Sequence, residues 1–508
     1  MSFFHLRGHL LFLFLSLLSA EYSQSQVQID WVRRYSGVGS YSDAANAICI
    51  DHSGNIYVTG GEQIATGYQC TTIKYSSSGS TYWIRSFSLD DHSLGFDVSV
   101  DNTGNVFVAG AGCAIKYDSL GNFLWARYDS VNFSKIELDT SGNIYASGIG
   151  YGNMTTVKYN KYGTRLWKKT GAYNVSTLSD MELDKSGNVI ITGSKQYSAT
   201  NYDYITVKYS DNGNISWVRN YNGPSSNSIE NAYALSTDDS GNVYVTGSST
   251  DASTYFICAT IKYDSSGNII WVNRIYPPAV GYDIAVDEFQ NVYIASRSDG
   301  YNYTTKLDKN ANILWQRDYP TTDMFATNIS RIILDSVNDI YISINTDTMS
   351  FTHYGVVKYT NNGDRVFVGT YIYSLIASDY VRDMIIDKKG NIFLTGKSST
   401  DFATVKFSEI VTSTQSTGFV TLDFKLHQNY PNPFNPSTTI RFDINTSGNV
   451  SLKIYDVLSR EVAVLADEYL RAGSYERVFE AGNLSSGVYF YTLKAGEFEK
   501  TLRMVVVR

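Results

Sequence analysis

The stretch Asp51–Gly60, DHSGNIYVTG, joins a turn to an alternating strand, and the chain writes it repeatedly. Copies begin at Asp101 (DNTGNVFVAG), Asp139 (DTSGNIYASG), Asp184 (DKSGNVIITG), Asp238 (DDSGNVYVTG) and Asp387 (DKKGNIFLTG). Two worn copies, at Asp287 (DEFQNVYIAS) and Asp335 (DSVNDIYISI), bring the set to eight. In each, the aspartate is placed to accept N–H groups of the residues that follow. The glycine then takes the left-handed conformation that closes a three-residue hairpin loop with a bulge. Asn338 stands for glycine in the seventh copy and tolerates that conformation; Gln290, in the sixth, suits it less well. A calcium loop would need oxygens at alternate positions, which this spacing lacks, so no metal is expected.

A second phrase follows each copy: TIKYSSSGSTYWIRSF from Thr72, TVKYSDNGNISWVRNY from Thr206, TIKYDSSGNIIWVNRIY from Thr260. Each unit thus holds four short strands, and the seven steps from Asp51 to Asp387 average 48 residues. Four strands at that period predict propeller blades. The first tryptophan strand, at Trp31–Tyr35, lacks a preceding partner, and the last TVKF strand, Thr404–Phe407, lacks a following one. Ring closure requires such an orphan at each end, because it abolishes the open edges of a linear array. The expectation is an all-β chain: an eight-bladed β-propeller of four-stranded blades, its N-terminal strand completing the last blade.

The D-x-x-G-N-[IV]-[YF]-V-x-G unit followed by xKY[DS]xxGN resembles the bacterial SBBP β-propeller repeats, from Trp31 to Phe407. The resemblance implies a fold and no shared chemistry; that family is named for seven blades, whereas eight copies are counted here.

Composition agrees with half-buried strands: 41 Tyr, 39 Gly, 7 Pro and 18% charged residues. The net charge of −8 argues against nucleic acid. Arg7, the apolar run Leu10–Leu18 and the small residues ending at Ala20 read as an export signal over residues 1–20. No other apolar run is long enough to cross a membrane as a helix. Cys49, Cys70, Cys113 and Cys258 fall on strands of different repeats, and free buried thiols are expected.

The propeller is expected over 27–407, a polar linker over 408–421, and a small Ig-like sandwich over 422–508. This tail contains NYPNPFN, Asn429–Asn435, then Gly487-Val488-Tyr489, Lys494, Gly496 and a basic-apolar end. It resembles the type A sorting domain of the type IX secretion system, with the motif carried by Asn429, Tyr430, Pro431, Asn432, Pro433, Phe434, Gly487 and Tyr489. The resemblance implies a translocon partner and delivery through the periplasm and outer membrane of a Bacteroidetes-like bacterium. Cargo of such tails is released or attached to surface lipopolysaccharide.

No HExxH, Walker loop, G-x-S-x-G elbow or dinucleotide fingerprint is present, and no cofactor is expected. The variable connections, Lys195–Tyr204, Tyr221–Tyr233, Arg297–Tyr303 and Thr370–Tyr380, are rich in Tyr, Ser, Asn and Asp, the chemistry of adaptable binding surfaces. Four residues before each turn aspartate the units read Ala47, Asp97, Lys135, Asp180, Ala234, Asp283, Arg331 and Asp383. Aspartate recurs in every even unit, and Glu137 and Glu182 add carboxylates two positions on. This charged ring at a channel mouth reads either as a polar-ligand or acid–base site, with Glu137, Asp180 and Glu182 as the candidates, or as a network closing the propeller. The function expected is a monomeric, secreted or surface-attached binding protein that recognises glycan or protein through its loops. The competing reading is a carbohydrate-active hydrolase or lyase.

Overall fold

The computed structural model describes residues 26–410 and 425–507, apart from 38–41, 90–92, 111, 172–174, 199–200, 225–228, 251–254, 299–300, 321–328, 349–350, 375–376, 430, 445–447, 471–472, 483 and 497. The expected export signal, most of the expected linker and Tyr430 lie outside the described residues. The chain divides into two compact units, Met1–Thr412 and Ser413–Arg508. Every regular element among the described residues is a strand.

Among the described residues, the first unit contains eight four-stranded antiparallel sheets. Seven use consecutive strands; the eighth combines Asp379–Ile386, Ile392–Ser398 and Asp401–Ile410 with Gln26–Tyr35. In that sheet Trp31 faces Lys406 and Tyr35 faces Phe402. The inner strands of sheets one to eight are Ala44–Ile50, Gly95–Val100, Asn132–Leu138, Val175–Leu183, Asn231–Thr237, Val280–Val286, Ile329–Leu334 and Asp379–Ile386. Each contacts the next, and the last returns to the first, so the series closes around an axis as in a β-propeller. Middle strands such as Val106–Gly110 and Cys113–Tyr117 are buried throughout, because a neighbouring sheet covers each face. That burial on both faces is why they read as apolar runs.

The turns carry the chemistry their sequence implies. Asp51 Oδ1 accepts from Ser53 N at 2.8 Å and Asn55 N at 2.9 Å, while Oδ2 accepts from Asn55 Nδ2 and from the buried Tyr57 hydroxyl at 2.9 Å. Burial works to raise its pKa, but the bonds from Asn55, Tyr57 and Ser53 outweigh it and hold the carboxyl low. Gln290 and Asn338 both adopt the left-handed conformation, at φ 65° and 62°.

The tryptophan strand explains the second phrase. Trp83 Nε1 donates to Ser119 O at 3.3 Å, and Arg85 Nε to Gly121 O at 2.6 Å, both in the outer turn of the next sheet. A Cβ on Gly121 would stand 2.8 Å from the Trp83 ring, so this position needs glycine both for its φ of 79° and for the ring above it. The pattern recurs from Trp217 and Arg219 to Ser265 and Gly267, and from Trp315 and Arg317 to Asn361 and Gly363. Trp31 and Arg33 make the same bonds to Ser77 and Gly79, fastening sheet eight to sheet one. Sheet eight has no such turn to receive sheet seven, since its outer strand comes from the other end of the unit. There the sequence departs: Phe367 replaces tryptophan and Gly369 the arginine, packed toward Val27 and Phe407.

In the second unit, Lys425–Leu426, Ser437–Ile444 and Gly473–Glu480 form one sheet. Glu461–Leu470, Gly448–Tyr455, Gly487–Ala495 and Phe498–Val506 form the other. Ile440, Phe442, Leu452, Ile454, Tyr491 and Leu493 belong to one core shared by both.

Candidate functional site

An inner strand is an edge strand, so its axis-side N–H groups have no ladder partner. The recurrent aspartates answer this. Asp97 Oδ2 accepts from Ile136 N at 2.9 Å, Asp180 Oδ2 from Leu235 N at 3.0 Å, Asp283 Oδ2 from Ile332 N at 2.7 Å and Asp383 Oδ2 from Ile48 N at 3.0 Å. Each bond runs from an even sheet to the odd sheet after it, which accounts for aspartate in alternate units. The other oxygen is also engaged: Asp97, Asp283 and Asp383 each accept the N–H of the following residue.

Lys135 and Arg331 are not brought to each other. Lys135 Nζ pairs with Asp180 Oδ1 at 2.9 Å, and Arg331 Nε with Asp383 Oδ1 at 3.3 Å. Burial opposes the charge on Lys135, but Asp180 and Asp97 raise its pKa; Asp383 raises that of Arg331. Burial pushes Asp97 and Asp283 up to about 6.

Glu137 and Glu182 form a second tier of bonds between sheets. Glu137 Oε2 accepts from Leu183 N at 3.0 Å, and Glu182 Oε1 from the Thr237 hydroxyl at 2.9 Å. Burial pushes both up to about 8, and for Glu182 the Glu137 charge adds to it. A working acid–base pair is made by environments that separate two pKa values, whereas these two move together. Two cavities of about 470 Å³ each follow the axis and share Glu137, Asp180, Met181 and Arg331. Asp97, Lys135 and Asp383 line the first; Glu182 and Asp283 line the second. Among the described residues no group of His, Cys, Asp or Glu is arranged to hold a metal.

The connections opposite the tight turns carry exposed tyrosines: Tyr151, Tyr197, Tyr255, Tyr276, Tyr301, Tyr373 and Tyr380. Between the fifth and sixth sheets lies a pocket of about 330 Å³, lined by Tyr255, Phe256, Pro278, Ala279, Val280, Tyr282, Arg297 and Ser298. Sequence reading singled out Arg297–Tyr303 as a loop but missed Tyr255 and Phe256. Their signal was two aromatics following the polar run SSTDAST.

In the second unit, NYPNPFN is worked into the fold. Asn432 Oδ1 accepts from Val505 N at 2.8 Å, while Phe434, buried, exchanges backbone bonds with Val505 and Val507. Residues 428–508 match the secretion system C-terminal sorting domain. The sorting domain directs export by type IX secretion, to the cell surface or beyond it. Within it Asn429 is buried, donating through Nδ2 to Pro431 O and to the Thr438 hydroxyl, and Tyr489 donates to Ser485 O at 3.0 Å. Pro431 and Pro433 are exposed beside them.

No curated protein matches the chain. Among solved structures it is similar to Sqt1 from Chaetomium thermophilum bound to the N-terminus of the ribosomal protein L10: TM-score 0.51 at 11% identity, over 75% of this chain and 100% of that one. A second structure of that Sqt1 gives 0.50 at 12% identity, over 76% and 100%. Virginiamycin B lyase from Staphylococcus aureus gives 0.41 at 10% identity, over 75% and 99%. At these identities the likeness to Sqt1 speaks for fold alone.

Proposed function

We propose that this chain is an exported, monomeric eight-bladed propeller of SBBP type that recognises glycan or protein through its loop face. The eight sheets linked in one closed cycle support the blade number. The observation that carries the binding reading is the ring of exposed tyrosines on the connections opposite the tight turns. Tyrosine offers a large amphipathic face at low entropic cost, and a rigid frame holds each one in place. Residues 1–20 serve as the signal that starts export, and the tail, an Ig-like sandwich, engages the translocon. The ring of Asp97, Lys135, Asp180, Asp283, Arg331 and Asp383 ties the blades together. The test is a screen of the secreted protein against glycans and surface proteins, beside a variant with Tyr151, Tyr197, Tyr255 and Tyr373 changed to Ser. Binding should fall with the fold intact; unchanged binding refutes the loop-face reading.

One observation favours a second reading: the carboxyls of Glu137 and Glu182, held near 8, could deliver protons at neutral pH in a hydrolase or lyase. Polysaccharide depolymerisation that vanishes in Glu137→Gln/Glu182→Gln would establish it.

A further inference from the structure

Sheets one to seven each carry a lysine on the third strand, in the KY or KL phrase, that reaches toward the next sheet. Lys74 donates to Ser119 O at 3.1 Å and Lys116 to Lys161 O at 2.8 Å, both in the outer turn that follows. Lys306 of sheet six likewise meets Asn361 O at 3.2 Å, but its Nζ is also in direct contact with Oδ1 of the Asn361 carboxamide. Lys306 is 7% exposed, and Tyr293, opposite it in the ladder, is fully buried. The Tyr293 hydroxyl stands 3.1 Å from Asn361 Oδ1 and 3.1 Å from Asp287 Oδ2. Asp339 Oδ1 accepts the Asn361 N–H at 3.1 Å and Trp315 Nε1 donates to Asn361 O at 3.0 Å, so the backbone on either side of the carboxamide is fixed.

Burial works against the charge on Lys306 and lowers its pKa, while Asp287 pulls the other way. A desolvated lysine amine is a nucleophile, and the carboxamide against it is an electrophile whose leaving group is ammonia. The equivalent lysines meet different chemistry. Lys158 and Lys358 meet the carboxylates of Asp211 and Glu409. The bonds from Lys158 and Tyr145 hold the Asp211 carboxyl low, and an ionised carboxylate has no leaving group for an amine to displace. Lys262 donates to Gln290 Oε1 at 2.9 Å, but Tyr244, in the place of Tyr293, gives its hydroxyl to its own turn aspartate, Asp238, at 2.9 Å.

We propose that Lys306 and Asn361 join in an isopeptide bond that forms spontaneously once sheets six and seven are seated. The neutral Nζ attacks Cγ of Asn361, and the carbonyl electron pair moves onto Oδ1, where the Tyr293 hydroxyl donates to the developing charge. The carbonyl then re-forms and the Cγ–Nδ2 bond breaks. One proton passes from Nζ to Nδ2, with the Asp287 carboxylate as relay, and the nitrogen leaves as ammonia. The product is a secondary amide, and no oxidant or co-reactant is consumed. Packing holds the two groups together, so the reaction gains the advantage of an intramolecular step. Cys49, Cys70, Cys113 and Cys258 are all free, so among the described residues no disulfide ties one sheet to the next. The amide supplies a covalent tie that reduction does not break.

Mass spectrometry of a tryptic digest of the purified full chain tests this. Wild type should yield a branched peptide in which residues 298–309 are joined to residues 359–365, uncut at Lys306 and lighter by one ammonia than the two linear peptides together. Fragmentation should place the branch on Lys306 and Asn361. Succinimide formation at Asn362, which precedes Gly363, also sheds ammonia but leaves two separate peptides. Lys306→Arg and Asn361→Ala should each give only linear peptides from these regions, with a melting temperature below that of wild type. A wild-type digest that holds only the linear peptides overturns the proposal. So does a branched peptide that survives Asn361→Ala, since the bond would then lie elsewhere. The wild-type digest decides the matter whether or not the variants fold.

Discussion

Trp31→Ala probes how the first unit is closed. Trp31 is 8% exposed, its ring centroid lies 6.2 Å from Tyr75 and 5.9 Å from Phe393, and its Nε1 donates to Ser77 O at 3.2 Å. Truncating a buried tryptophan costs about 3–5 kcal/mol. We therefore expect about 4 kcal/mol, which is roughly a thousandfold in an opening equilibrium. Trp83→Ala removes the same contacts between sheets one and two, yet the consequences should differ. Trp83 lies on a strand joined to its neighbour by a tight turn, whereas Gln26–Tyr35 is held to Asp401–Ile410 without one. Loss of the Trp31 anchor should therefore release the whole strand and expose the edge beneath it. Hydrogen exchange read by mass spectrometry checks this. In Trp31→Ala, protection should fall together over Gln26–Tyr35 and Asp401–Ile410. In Trp83→Ala the hairpin spanning Gly67–Phe87 should keep most of its protection. If Gln26–Tyr35 stays as protected in Trp31→Ala as in wild type, the closure argument is wrong.

Asp383→Ala would strand Ile48 N–H, Met384 N–H and Arg331, at a cost of about 3 kcal/mol in urea unfolding, with Asp383→Asn milder because it still accepts a hydrogen bond. Because burial raises Glu137 and Glu182 from 4.5 to about 8, the folded state holds their protons more tightly than the unfolded one, so stability should decline as pH rises across that window. Melting at pH 5 should exceed melting at pH 8, and Glu137→Gln/Glu182→Gln should flatten the difference; an unchanged slope contradicts the assignment. Removal of residues 425–508 should leave a folded first unit that accumulates in the periplasm of a type IX-secreting host, as fractionation would show.

The repeat was legible because its determinants are local. A turn aspartate binds N–H groups two and four residues ahead, a glycine takes positive φ within the same loop, and strands alternate by their own period. Closure was legible too, since an unpaired strand at each end of an array is a property of the list of strands. The tail's motif was readable as a word, although its role inside the fold, with Asn432 bonded to Val505, was not. Tertiary structure decided what the channel carboxylates do. Asp383 meets the N–H of Ile48, 335 residues away in the chain, and no sequence period specifies which edge N–H lies within reach. The departure at Phe367 and Gly369 acquires its reason only when sheet eight is seen to lack the turn that Trp and Arg grip elsewhere. The loop-face pocket belongs to the same class: Tyr255, Tyr282 and Arg297 come from two sheets whose packing places them together. Hydrogen bonding and periodicity within a strand or turn depend on neighbours in the chain, whereas these groupings depend on how one sheet seats against the next.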